Sequence, residues 1–444
     1  MRHPMQPLSV AHLAQSDSEG GANKAAFRIH RTLLGLGLNS TFHVGRRSKD
    51  DPTVVPAHWP GVGRFGSDVV AYLNARALRR YTGRPPTPFS PMRFSYGRID
   101  RQSFASADVV CLHWVAGAFL DARRLRAIGK PIVWRLSDIW PFSGGCHYPG
   151  ACTRFEQACG ECPQLNSADA GDLSRDGHRR REQGYRGLDI TVAAPSRWIA
   201  DLARRSSLFG GRRIEHIPTG VDLSVFRPHD PAGARHALGL PSEGRIVLFG
   251  ALGATEDPRK GYRHLLGTIE RLAAAGRRDL TCVVFGGAAA GEIGQLGGFP
   301  LHHLGRIDGE AELARVYSAA DLLIAPFLED NLPNVVLESI ACGTPVAAFA
   351  AGGIPDAIIG GINGVLAPVG DDDALARGVA ELLDRTDVAA LRAATRAVAE
   401  QRFDLIACGK RYHDLCGDLA GAATRRLPQG VAVSNMLTIS HSDD

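Results

Sequence analysis

One segment, Leu322 to Gly343, limits the folds open to this chain more than any other. Leu322-Leu323-Ile324-Ala325 is a short apolar run that reads as a buried strand, and a polar loop follows it. Pro333 stands where a first helical turn tolerates proline, because the amide hydrogen it lacks would be unpaired there. Val335, Val336, Ile340 and Ala341 then give a mostly buried helix, and Gly343 ends it as a residue free to take positive φ. A strand, a loop and a helix N-terminus together make an anion-binding geometry, since the first amides point outward with the positive end of the helix dipole. Yet two acids stand here, Asp330 in the loop with Asn331 and Leu332, and Glu338 in the helix. Such a mixture suits a ligand that carries both phosphates and hydroxyls. Taken alone, a capping Asp330 and a solvated Glu338 are the simpler account.

The same unit recurs along the chain. Ser9–Leu13, Leu38–Val44, Ala107–Trp114, Pro131–Leu136 and Asp189–Ala194 read as strands of a first series. Helices are expected at Asn23–Leu36, Phe119–Ile128 and Arg197–Arg205, the last capped by Ser196. A second series has strands at Arg245–Gly250, Leu280–Phe285, His302–Gly305, Asp321–Ala325 and Pro345–Phe349, with helices at Asp371–Leu383, Val388–Arg402 and Phe403–Ala420. Between the series lies a Pro/Gly-punctuated crossing around Pro218–Pro228. With 444 residues, more than one core is expected. The fold class is therefore α/β, two Rossmann-like doubly wound domains facing a cleft. The expected bounds are 1–217 for the first domain, 218–230 for the linker, 231–402 for the second, 403–424 for a final helix and 425–444 for a disordered tail. Residues 46–100 are irregular apart from a helix at Val69–Arg80 and read as an insertion facing acceptor or membrane. Ligands of such sheets bind beyond the carboxyl ends of the strands, so the cleft is the expected site.

Charge narrows the partners. The net charge of +5 is uneven: residues 1–200 carry 27 Lys and Arg against 16 Asp and Glu, the remainder 24 against 30. A basic first half suits an anionic membrane surface or a lipid-phosphate acceptor. Without a basic run interleaved with aromatics, nucleic acid is not expected. No apolar stretch is long enough to span a membrane and the start lacks a signal pattern, so the expected location is the cytoplasm, at the inner face of the membrane.

Several residues carry candidate chemistry. Gly20 and Gly21 follow the first strand, where backbone approaches a ligand closely. Arg259 and Lys260 precede a helix, where cations stabilise a departing diphosphate. Gly286 and Arg306 follow later strands, beside a nucleotide. His113, Asp138 and His147 lie at or beyond first-domain strand ends, placed for an acceptor hydroxyl or donor sugar. The bland alternatives are a plain tight turn for Gly20 and Gly21, surface charge for Arg259 and Lys260, loop caps for Asp138 and His147, and a satisfied half-buried histidine for His113. Cys146, Cys152, Cys159 and Cys162 are spaced like a structural zinc site, with labile thiol pairs or plain loop cysteines as alternatives.

In combination these features resemble the retaining nucleotide-sugar glycosyltransferases of family 4. Ile217-Pro218-Thr219-Gly220-Val221-Asp222 with Phe226 and Pro228 is similar to their linker, and Arg259-Lys260-Gly261 to their diphosphate-binding motif. Asp330 and Glu338 occupy the paired-acid positions. Glu338 to Val346, Ala351 to Asp356 and Asn363-Gly364 resemble the continuation. The segment Trp134–Leu165 is similar to a subgroup that builds exopolysaccharides such as colanic acid. The resemblance implies a GT-B fold with a C-terminal helix returning to the first domain, and a hexosyl transfer with retained configuration. It implies a nucleotide-sugar donor, a glycan or lipid-linked acceptor and no catalytic metal, so that any zinc is structural. By position Glu338 would hold the ribose, Asp330 the sugar, Lys260 and Arg259 the diphosphate, and Gly20 and Gly21 would border the phosphates or acceptor. This sequence has Asp330 where glutamate is usual, Ser137 where histidine is common, and Ala251 where an arginine is common. Those departures leave room for a binding or assembly protein without turnover; a sugar-nucleotide epimerase is a further alternative on the same fold.

Overall fold

The computed structural model describes residues 7–58, 63–250, 257–286 and 290–426. The first sheet is built from β1 (Ser9–Ser16), β2 (Asn39–Arg46), β3 (Val54–Pro56), β4 (Val109–Leu112), β5 (Ile132–Arg135), β6 (Ile190–Ala194) and β7 (Ile214–His216), in the order β3-β2-β1-β4-β5-β6-β7. Every pairing in it is parallel. The second comprises β8 (Arg245–Gly250), β9 (Leu280–Phe285), β10 (Ala290–Leu296), β11 (Phe299–Leu304), β12 (Leu322–Ala325), β13 (Val346–Phe349) and β14 (Gly364–Ala367), in the order β10-β11-β9-β8-β12-β13-β14. Only the β10–β11 hairpin is antiparallel. Helices α1 (Gly20–Gly35), α2 (Gly63–Arg76), α3 (Leu173–Tyr185) and α4 (Arg197–Arg205) belong to the first half. The second half has α5 (Pro231–Ala237), α6 (Tyr262–Ala274), α7 (Glu310–Ala319), α8 (Asn334–Ala341), α9 (Asp372–Leu383), α10 (Val388–Arg402) and α11 (Leu405–Arg426).

The central strands are apolar at successive positions because helices cover both faces of each sheet. β4, β5, β12 and β13 are buried at every residue. The two sheets have separate cores. Helix α11 leaves the second half and packs Tyr412, Leu415, Cys416 and Leu419 against Val10, Ile29, Leu33, Val109 and Cys111 of the first. A bridge between Val221 and Asp404 ties the two chain crossings together.

Some expectations fail locally for physical reasons. Phe119–Ile128 is not an α-helix: Gly117 and Ala118 take positive φ, and only a 3-10 turn, Ala122–Ala127, forms behind the cap of Asp121. Residues 46–100 contain the short edge strand β3, and β10 and β14 also escape the sequence pattern, since glycines interrupt or precede them. The final helix runs to Arg426 rather than Ala420, so the expected tail from 425 begins helical; residues 427–444 lie outside the described residues. No helix among the described residues is long and apolar enough to cross a membrane.

Candidate active site

In a doubly wound sheet the crevice opens where the strand order reverses. In the first sheet that point lies between β1 and β4, in the second between β8 and β12. The chain leaves β1 into the glycine turn before α1 and leaves β12 into the loop before α8. The segment after β8 returns at Asp257 to a turn, Pro258–Lys260, that precedes α6. The sequence candidates of both halves thus converge on one cleft.

Its floor belongs to the second half. Lys260 Nζ donates to Asp330 Oδ2 at 2.7 Å and lies 4.7 Å from the centre of the Phe327 ring. Asp330 therefore does not cap α8; the residue flanking that helix is Pro333. Gly261 lets this meeting happen. Its φ is +71°, and a Cβ there would sit 1.8 Å from the Pro326 carbonyl oxygen. Glu338 is buried in α8, where Tyr317 Oη donates to Oε2 at 3.1 Å and Arg28 Nη2 to Oε1 at 3.0 Å. Burial pushes its carboxyl up, and Arg28 opposes that shift.

Contacts across the cleft hold it closed. Arg28, on α1, also donates to Glu310 Oε1 at 2.7 Å, so one first-half guanidinium spans two second-half acids. The Arg259 guanidinium lies 3.6 Å from the centre of the Tyr148 ring and donates to Asp257. Its Nε and Nη1 are buried without a protein partner, as is Arg28 Nη1. Gly150 N donates to the Glu329 carboxylate at 3.1 Å. Asn331 accepts from Ser196 Oγ at 2.6 Å and donates to the carbonyls of Leu136 and Ser137. Asn334 Nδ2 donates to the Gly21 carbonyl at 3.3 Å, which places the glycine turn against the start of α8. Gly20, at φ +75°, begins α1 beside it.

Other expected residues need correcting. His113 is buried and shares a 2.9 Å hydrogen bond with His12 through Nε2, while its Nδ1 has no partner among the described residues. Asp138 reaches the cleft edge, and its carboxylate already accepts three hydrogen bonds, which leaves room for one more at Oδ1. Trp114 Nε1 and His147 Nδ1 donate to Oδ2 at 3.0 and 2.7 Å, and Trp140 N donates to Oδ1 at 2.9 Å. With His147 Nδ1 donating to Asp138, His147 Nε2 accepts from Ser90 Oγ at 2.8 Å. Leu332 places its side chain in the second core rather than in the cleft. Arg306 is 77% exposed and paired with Asp308, so its side chain is not gathered with the others. Gly286 ends β9 at φ +92°, while Gly287 and Ala251 lie outside the described residues. The four clustered cysteines border one small cavity and form no disulfide. Among the described residues, no three or more His, Cys, Asp or Glu side chains stand already arranged to hold a metal ion.

Arg28, Tyr317, Tyr148 and Ser196 are site residues that sequence reasoning missed. Arg28 sits in the middle of an amphipathic helix and Tyr317 reads as core, so neither carries a local signal.

Known proteins bear on this geometry. Residues 243–385 match the family described as Glycosyl transferases group 1. The chain is 33% identical over 431 residues to the D-inositol 3-phosphate glycosyltransferase of Thermobispora bispora, covering 93% of this chain and 92% of that one. Its fold is similar to sucrose-phosphate synthase from Thermosynechococcus elongatus, with a TM-score of 0.65 at 18% identity, covering 94% of this chain and 100% of the other. It is also similar to Anabaena HepE in complex with UDP-glucose, with a TM-score of 0.62 at 19% identity, over 93% and 100% of the two chains.

Proposed function

This chain belongs to the group 1 glycosyltransferases, and from that premise we propose that it moves a hexose from a uridine diphosphate sugar, with retained configuration, to a hydroxyl of a polyol or sugar acceptor. One observation supports the reading: Lys260 and Asp330 are joined at 2.7 Å at the second sheet's switch point, with Arg259 beside Lys260 in the chain, while Glu338, farther along α8, is bonded to Arg28 of the first half.

The chemistry follows from that meeting. A nucleoside diphosphate gains negative charge as the sugar departs, and a cation preorganised in a dry site lowers that barrier most. Lys260 is the cation, held in place by Asp330 until a phosphate shares it. Arg259 brings two unpartnered buried nitrogens to the same anion. Glu338 retains lone pairs beyond its bonds to Arg28 and Tyr317, and these accept from ribose hydroxyls. Asp330 has a second carboxylate oxygen for a sugar hydroxyl. Asp138 is committed to three donors, so the reading assigns no protein nucleophile to it. The acceptor hydroxyl then attacks from the face the diphosphate leaves, and the leaving phosphate takes its proton.

HepE is described with UDP-glucose, which supports uridine as the base. The Thermobispora relative is named for D-inositol 3-phosphate, which makes a phosphorylated polyol the first acceptor to try. The curated relatives are named for D-inositol 3-phosphate rather than for exopolysaccharide synthesis, so a lipid-linked glycan, the acceptor that the family resemblance implies, is only the second to try. The test is turnover of a panel of UDP-, GDP- and ADP-sugars with both acceptor types, read as nucleotide release and product mass. Sugar transfer that Glu338→Ala abolishes supports the reading. An intact protein that neither transfers nor hydrolyses any donor overturns it.

A further inference from the structure

The loop between β5 and α3 is unusual in what holds it. From residue 136 to 172 it contains no α-helix or strand, only three short 3-10 turns. Cys146, Cys152, Cys159 and Cys162 border one cavity inside it, together with Gly144, Phe155 and Ser174. Hydrogen bonds fix the chain around the sulfurs: Gly160 N donates to Ser174 Oγ at 2.9 Å, Cys162 N to Asp172 Oδ2 at 2.8 Å and Ser143 Oγ to the Cys146 carbonyl at 2.7 Å. Between the last two cysteines the chain holds three successive positive φ angles, at Cys159, Gly160 and Glu161. Strain of that sort persists only where the surroundings over-determine it.

A second observation points at the same place. Arg181 of α3 is 2% exposed, and its Nε and Nη2 have no partner. Its guanidinium lies 4.3 Å from the centre of the Trp140 ring and donates to the Gly177 carbonyl. Among the described residues no carboxylate makes a salt bridge to it, and Gly177, which it holds, packs against the Gly144 carbonyl at the cavity wall; Tyr185, then Cys159, Cys146 and Asp121, are the neighbours that favour its charge. A buried cation without a counter-charge is costly.

We infer that Cys146, Cys152, Cys159 and Cys162 form a closed structural site for a soft divalent cation, zinc foremost, with Arg181 as its buried counter-charge. Four thiols release four protons to solvent as four metal–sulfur bonds form. The resulting centre carries two negative charges, one of which the guanidinium offsets. Four sulfurs with no open position select zinc among common divalent ions. The side chains do not yet enclose a common point, so binding must draw them together and fix the loop between them. That loop carries Tyr148 and Gly150, which meet Arg259 and Glu329 across the cleft. The site therefore sets the first-half lip of the cleft without entering the chemistry.

The test uses intact protein made in a reducing cytosol and purified without chelator. Native mass spectrometry and elemental analysis are expected to find about one zinc per chain, with four thiols becoming reactive only after chelation. Cys159→Ser and Cys162→Ser should each lose the metal, and Cys416→Ser, outside the cluster, should keep it. Zinc well below one per chain, both as purified and after reducing incubation with a zinc salt, would overturn the inference, as would disulfides among the four. The wild-type measurement decides the question even where a variant fails to fold.

Discussion

Replacing Lys260 by methionine keeps much of the side chain's bulk and removes its charge. Two effects should separate. The first is on stability: the ammonium is 2.7 Å from Asp330, but it is 28% exposed and its partner 11%. Solvent screening holds such a pair well below a fully buried one, so a loss of about 1 kcal/mol is expected. That corresponds to a fall of about 2–4 °C in Tm for a domain of this size. The second effect is on catalysis. A preorganised charge lost from a departing diphosphate is worth about 3–4 kcal/mol, so kcat/KM should fall about 10²- to 10³-fold. Thermal unfolding and donor kinetics on Lys260→Met, Asp330→Asn and the double variant separate the two. In the cycle the stability losses should couple by about 1 kcal/mol, while Lys260→Arg should keep more activity than Lys260→Met. If Lys260→Met loses less than about threefold in kcat/KM, the ammonium is only a partner for Asp330 and the assignment is refuted.

Further outcomes follow from neighbouring contacts. Arg28→Ala leaves Glu338 buried without its cation, so stability should drop by about 3 kcal/mol and donor KM should rise, with Arg28→Lys restoring part of both in denaturant and kinetic measurements. Gly261→Ala forces a non-glycine residue to φ +71° and against the Pro326 carbonyl; Tm should fall and activity with it, because Lys260 is the preceding residue. Stability should also decline in mild acid. Burial lowers His30 and His43 to about 4, below the usual 6.5, so the unfolded chain binds more protons between those values. Each histidine's contribution is full above pH 6.5, shrinks as pH falls towards 4, and amounts to about 3 kcal/mol over that window. Urea melts from pH 8 to 4 check this: the decline should be shallower in His30→Gln, and a flat profile would contradict it.

The sequence revealed most where one element carries both a pattern and a reason for it. Apolar runs ending in loop and helix marked the central strands, because parallel strands are buried on both faces. The places of Lys260 and Asp330, on strand-to-helix junctions, and of Glu338, a turn into α8, were legible from the strand, loop and helix pattern; the roles given to them remain proposals. Short edge strands such as β3 and β14 were not, since three or four residues with a glycine or proline beside them lack periodicity. Arg28 was hidden for a different reason: its partners Glu310 and Glu338 are 282 and 310 residues away, and no local pattern encodes a contact between domains. Asp138 and His113 were found at strand ends, but what their side chains bond to was not legible. Their partners, the two tryptophans with His147 and the buried His12, are fixed only by packing.

The central claim is that the cleft closed by Arg28, Arg259 and Asn331 is a nucleoside-diphosphate site. Calorimetric titration of the intact protein with UDP, GDP and ADP tests it most directly, with uridine alone as the control. The account predicts saturable binding of UDP to one site per chain, at least tenfold weaker in Lys260→Met and lost in the uridine control. Binding of none of the three diphosphates, or UDP binding unchanged by loss of the Lys260 charge, would contradict it.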